Sequence, residues 1–283
     1  MTTPLNAPTI AKIFRTIAQS RYSTKRFQPS TSIPSYTLQD ILRTTLTSPS
    51  GFNLQPTNVI LVDSQKIKKN LSQNAMLGMG NMYRAVDAST LAVFLSDFEP
   101  QKRISKIVEL EQLSNSRVPG YMATLSVASS FLLGEGSAAT FFKQVATNAM
   151  SPLKPMPTID PVECWSYKNT SLVAQTYVLA ATSHGLATCI MEGFDARRVK
   201  EILDIPDRYG VPMIIATGYE YVGEGTENEL KRSPRLDFED VFFRNTFGEP
   251  FKEDHLHEDN ATQSQLNGDD NTSENTAQSF KSM

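Results

Sequence analysis

Arg21-Tyr22-Ser23-Thr24-Lys25-Arg26-Phe27 sets a cationic, hydroxyl-bearing segment directly after a stretch with helical spacing. In that preceding stretch Ile10, Ile13, Phe14, Ile17 and Ala18 recur at i, i+3, i+4, i+7 and i+8, which predicts a helix with one apolar face. Arg21, Lys25 and Arg26 bring charge, while Ser23 and Thr24 bring hydroxyls. A planar guanidinium forks onto phosphate or carboxylate oxygens better than a hydrated ammonium does, so an anionic ligand fits. A solvated surface turn has the same composition, and the cluster alone leaves both readings open.

A second segment, Ser48-Pro49-Ser50-Gly51-Phe52-Asn53-Leu54-Gln55-Pro56, lies between an expected helix at 37–47 and an expected strand at 57–62. Gly51 suits unusual dihedrals and the prolines stop the helix. Asn53 and Gln55 carry amides that donate and accept at once, which suits the edge of a heterocycle. A third segment, Glu192-Gly193-Phe194-Asp195, follows an apolar strand expected at 186–191, and strand ends are where ligands usually sit in α/β folds.

Taken in that order, these segments resemble the flavin-dependent nitroreductase family. The resemblance spans about residues 8–248, apart from a poorly matched helical and Pro-rich insert at about 98–165. It implies an α+β fold: an α-β-α sandwich around a central, mostly antiparallel sheet, in a homodimer whose sites are shared across the interface. It implies FMN held without a covalent link. Arg21, Ser23, Lys25 and Arg235 would bind its phosphate, ribityl chain and pyrimidine edge, with Tyr22 in the same stretch. Asn53 and Gln55 would hydrogen-bond the flavin, and the backbone at Glu192 and Gly193 would approach N5, a glycine leaving room for that approach. Ser233 stands where many relatives have Lys, which leaves Lys231 and Arg232 as alternatives for a second phosphate cation; Thr57 stands where relatives often have an aromatic.

Lys25 is the candidate for the positive charge that stabilises an anionic reduced flavin. The implied reaction is ping-pong: NAD(P)H reduces the flavin and leaves, and a nitroaromatic, a quinone or a similar small electron-poor acceptor takes the electrons. No side chain is assigned as strictly catalytic. The alternatives are a same-fold flavin enzyme with another substrate, such as a dehalogenase or azoline oxidase, and a non-catalytic flavin-binding regulator.

The 283 residues are 40% hydrophobic, enough for a sizeable core. A net charge of −3 argues against nucleic acid as a partner. Cys164 and Cys189 stand far apart among only three histidines, so neither a metal site nor a disulfide framework is expected. No apolar run approaches the roughly 20 residues of a membrane helix, and a cytoplasmic location is expected. The acid-free first 39 residues keep an organelle transit segment as the alternative. The expected division is a flavin-binding domain over 1–248 and a polar, acidic, disordered tail over 249–283.

The apolar run Val59-Ile60-Leu61-Val62 predicts a strand buried on both faces in the sheet centre, and 90–95 a second buried strand. Helices are expected at 65–73, 102–113, 121–133, 141–150, 171–183 and 196–203, and a strand at 212–218. Met76, Met79 and Met82 fit either a soft ligand-facing wall or core filling. Trp165 and Tyr167 fit either a stacking platform or an anchor for their helix, and His184 either a proton donor or a cation at a helix end.

Overall fold

The computed structural model describes residues 6–114, 136–223 and 233–252, with the single positions 120, 125, 127, 129, 131 and 133. The chain divides into two compact units, residues 1–232 and 233–283. The first unit holds a four-stranded sheet of order β1-β2-β4-β3, formed by β1 (Thr57–Val62), β2 (Thr90–Asp97), β3 (Ala187–Met191) and β4 (Tyr209–Gly218). All three pairings are antiparallel.

The sheet is apolar on both faces because helices cover both. Along β2, Leu91, Val93 and Leu95 face one layer, and the alternate residues Ala92 and Phe94 face the other. The first layer joins α3 (Gln65–Asn74), α4 (Met79–Asp87) and α8 (Ala196–Ile202) through Leu71, Ala85 and Val199. The second joins α2 (Ser35–Leu46) and α7 (Val162–Ser183) through Ile41, Ala174, Tyr177 and Val178.

This layering corrects the expectation for 59–62. β1 is an edge strand, and only Val62 in it is fully buried. Val59 and Leu61 pack on the second layer and Ile60 on the first, so helices on both faces require the continuous apolar run wherever the strand lies laterally. The central strands are β2 and β4.

α1 (Ala7–Ser20) forms as its spacing predicts, and the Asn6 side chain caps it by accepting from the Thr9 N–H at 3.0 Å. None of its residues is buried. α5 (Ile104–Ser114) follows a 3₁₀ turn over Pro100–Arg103, and α6 covers Gly136–Met150. α7 begins nine residues before the expected 171, directly after Pro161, where the last of four prolines can precede a helix without losing a hydrogen bond. α4 was not expected; it starts after Gly78, whose φ is 76°, and contains the weak helix former Gly80.

In the second unit α9 (Phe238–Val241) is followed by a pairing of Phe243 with Pro250, and Phe238 packs against the rings of Phe242 and Phe251. Most of the helix expected at 121–133, both Lys231 and Arg232, and the tail beyond residue 252 lie outside the described residues.

Candidate functional site

At Arg21 the chain leaves α1 in an extended conformation, with φ −68° and ψ 128°. Ser23 then pairs in parallel with Thr188 of β3, the Thr24 N–H donates to the Thr188 carbonyl at 3.0 Å, and Phe27, 2% exposed, pairs with Glu220. Extended backbone alternates its side chains between faces. Thr24 is buried, and both Tyr22 and Thr24 donate to the Glu220 carboxylate. Burial, then the hydrogen bond and charge of Glu220, push the Tyr22 phenol above its usual pKa. Arg21, Ser23 and Lys25 alternate with that inward pair. Among the described residues neither the Arg21 guanidinium nor the Ser23 hydroxyl has a hydrogen-bond partner.

The Asn53 loop departs from ordinary backbone. Phe52, Asn53 and Gln55 have φ of 54°, 56° and 47°, a left-handed region that costs non-glycine residues on the order of 1 kcal/mol or more each. Surrounding bonds over-determine it. The Gly51 N–H donates to Asn169 Oδ1 at 2.7 Å and the Gln55 N–H to Ser50 Oγ at 2.9 Å. Asn53 Nδ2 donates to Glu111 Oε1 at 2.9 Å, and Gln55 Nε2 to Asn53 Oδ1 at 3.2 Å. Arg103 donates to the Gln55 carbonyl and to Asn58 Oδ1, while its Nε meets Asp97 Oδ2 at 3.2 Å. Asp97 is fully buried and also takes an ion pair from Arg208 at 3.2 Å. Leu54, fully buried against Ile104 and Ile107, pins the loop from below.

Glu192-Gly193 follows β3 and is tied to the end of α3. The Gly193 carbonyl accepts from the Leu77 N–H at 2.8 Å and from Asn81 Nδ2 at 3.1 Å. A Cβ on Gly193 would lie 2.5 Å from Asn81 Nδ2, so the glycine makes room for that side chain. The Gly193 N–H has no partner among the described residues, and the Glu192 side chain is exposed. Asp195 caps α8 by accepting from the Arg198 N–H at 3.1 Å.

Two of the three segments therefore meet on one sheet edge. Ser23 pairs with Thr188, and Gly193 lies five residues further along the same β3 edge. Asn53 and Gln55 lie on the opposite edge, where the Pro56 carbonyl accepts from the Asp97 N–H at the far end of β2. Three strand spacings of about 4.8 Å separate the edges by roughly 14 Å, before the offset along the strands is added. One chain does not bring Arg21 and Asn53 together. Ser233 and Arg235 belong to the second unit, where Arg235 Nη1 donates to the Ser233 and Pro234 carbonyls at 3.2 Å.

Other open readings are settled by packing. Trp165 lies against Gly51 and the Leu54 cluster, and Tyr167 meets Phe98 edge-on with ring centroids 5.5 Å apart, so both are anchors. Met76 and Met82 fill the core, while Met79 is 63% exposed. His184 Nε2 lies 2.9 Å from Asp40 Oδ2, joining the end of α7 to α2. Glu111, Asp97, Arg103 and Asn169 were not expected at the site. Their partners are distant in sequence, 58 residues for Glu111 and 118 for Asn169, and no local pattern marks them.

A model of the nitroreductase family matches residues 18–219. MhqN of Bacillus subtilis, provisionally named an NAD(P)H nitroreductase, is 28% identical over 208 residues, covering 73% of this chain and 88% of its own length. A Thermus thermophilus protein named NADH dehydrogenase is 24% identical over 205 residues, covering 72% and 85%. Among solved structures, the provisionally named nitroreductase ydfN of Bacillus subtilis superposes with a TM-score of 0.64 at 25% identity, over 83% of this chain and 99% of that one. The antiparallel sheet clad by helices, the order of the three segments along the chain and a match that runs unbroken through all of them place this protein in the nitroreductase family.

Proposed function

We propose that this protein is an FMN-dependent oxidoreductase that passes electrons from NAD(P)H to small electron-poor acceptors, nitroaromatics and quinones among them, by a ping-pong sequence. The observation that carries this reading is the β3 edge, which offers a guanidinium at Arg21, a hydroxyl at Ser23 and an N–H at Gly193, each without a partner among the described residues. That donor set fits a phosphate at one end of a ligand and a ring acceptor at the other. Arg21 and Ser23 would hold the phosphate, and Lys25 would stabilise negative charge on the ring. The Gly193 N–H would meet the ring edge. When bound, the group supplies two-electron chemistry, accepting a hydride from NAD(P)H and returning electrons to the acceptor. The chain's own residues bind and orient it, and no protein nucleophile is needed.

The amide loop completes the site only across a homodimer. Asn53 and Gln55 on the β1 edge of one protomer would face the β3 edge of its partner, because their own β3 edge lies across the sheet. The exposed apolar face of α1, with Ile10 at 51%, Ile13 at 46% and Phe14 at 57%, supports this assembly, since it needs cover. A structural neighbour from Exiguobacterium sibiricum was solved in complex with FMN. A Lactiplantibacillus plantarum relative, 25% identical, is named an enone reductase of CLA biosynthesis, so conjugated ketones belong in the acceptor screen.

The test is an absorbance spectrum of the purified protein between about 300 and 550 nm, before and after anaerobic addition of NADPH or NADH. A flavin band that bleaches is expected. A band that does not bleach favours a flavin-binding regulator, and no band in protein purified with added FMN overturns the assignment.

A further inference from the structure

Building on the FMN reading, we propose that Glu111 is a positioning residue that sets what the Asn53 loop offers a flavin. Glu111 sits on α5 at 7% exposure. Its carboxylate accepts from Asn53 Nδ2 at 2.9 Å. With Glu111 Oε1 as the acceptor, Asn53 turns its NH₂ toward α5 and its carbonyl oxygen away. That oxygen then accepts from Gln55 Nε2 at 3.2 Å. The two amides are thereby ordered in one direction, and Gln55 Oε1 of the side chain, with no partner among the described residues, is the outward end. An apolar residue at 111 removes the acceptor and with it that order. Both amides could then turn over and present an NH₂ where the loop now presents an acceptor.

The geometry around the pair keeps it fixed. Arg103, in the turn before α5, holds the Gln55 carbonyl while its Nε is held by the fully buried Asp97. Asn53 and Gln55 cannot relax into common backbone wells without breaking these bonds, since both have positive φ. Helix α5 thus reads out directly on the loop.

The test uses the full chain stripped of flavin and reloaded, comparing Glu111→Leu with Glu111→Gln, which retains an acceptor. FMN affinity is read by flavin fluorescence titration, and loop order by amide hydrogen exchange of 51–56 without flavin. Glu111→Leu is expected to weaken FMN binding roughly tenfold or more, and Glu111→Gln to stay within about threefold of the native protein. Exchange at 51–56 should quicken in Glu111→Leu while α5 keeps its protection. Should Glu111→Leu fail to fold, Asn53→Ala removes the same bond from the other side and is read by flavin-free exchange alone, which should quicken at 51–56 while α5 keeps its protection. Equal affinity and equal loop exchange in native and variant proteins, or loss of protection across α5 itself, overturns the positioning role. If the native chain binds no FMN, the cofactor reading falls, and the exchange at 51–56 alone decides whether Glu111 orders the loop.

Discussion

Arg21 and Gly193 show how differently single residues declare themselves. Arg21 is a site candidate through the family resemblance, since its cluster alone fits a solvated turn as well, and its guanidinium has no partner among the described residues. If Arg21 holds the FMN phosphate as proposed, Arg21→Ala removes a charge-assisted contact of roughly 1.5–3 kcal/mol and FMN should dissociate about tenfold or more faster on dilution; full flavin retention would remove Arg21 from the site. Gly193 is expected from the sequence to leave room for a close backbone approach, and the structure adds a second constraint, the Asn81 side chain packed against it. In Gly193→Ala, Asn81 must move and release the Gly193 and Leu77 carbonyls, each now 3.1 Å away. The cost should be about 1–2 kcal/mol in a denaturant melt, and Asn81→Ala should relieve part of it in the double variant.

At the scale of elements, apolar periodicity placed all four strands, and with them the layers. It could not say which strand lies at the edge, because side-chain pattern reports which faces are covered and not how many neighbours a strand pairs with. The Asn53 loop depends on elements far from it in sequence: α7 through Asn169 and α5 through Glu111 and the Leu54 cluster. Leu54 is fully buried between these elements. Leu54→Ala should cost about 2–5 kcal/mol by transfer and cavity terms, measured by denaturant unfolding. FMN affinity should fall with it, because the loop loses its anchor.

For the whole molecule, assembly and pH response follow from buried and exposed faces. Replacing Ile13 and Phe14 of α1 by Glu puts charge on the face assigned to the interface. The double variant should sediment as a monomer and lose flavin, whereas a native protein that is already monomeric would overturn the shared-site assembly. Tyr177 is fully buried beneath the sheet, and burial, against a lowering by its hydrogen bond to Thr217 at 3.0 Å, pushes its pKa up to about 12. The unfolded phenol releases its proton near pH 10, so the folded state binds more protons between about 10 and 12. Stability is therefore retained below pH 10 and falls by about 3 kcal/mol as pH rises through that window, with Tyr22 shifting the same way. Tyr177→Phe should flatten this decline in urea melts between pH 9 and about 12, at a cost of about 1 kcal/mol at neutral pH.

The sequence by itself determined the four strands, most of the helices and three segments whose residue types suit a ligand, because periodicity, glycine placement and residue type are local properties of a chain. Only the tertiary structure decided that β1 is an edge, that Tyr22 turns inward to Glu220, and that Trp165 and Tyr167 are anchors. It alone placed Asn53 across the sheet from Arg21 and supplied Glu111, Arg103 and Asn169 to hold its loop. The physical reason is that lateral strand order and contacts between residues 58 or 118 positions apart are set by how layers pack, and nothing in the local sequence carries that information.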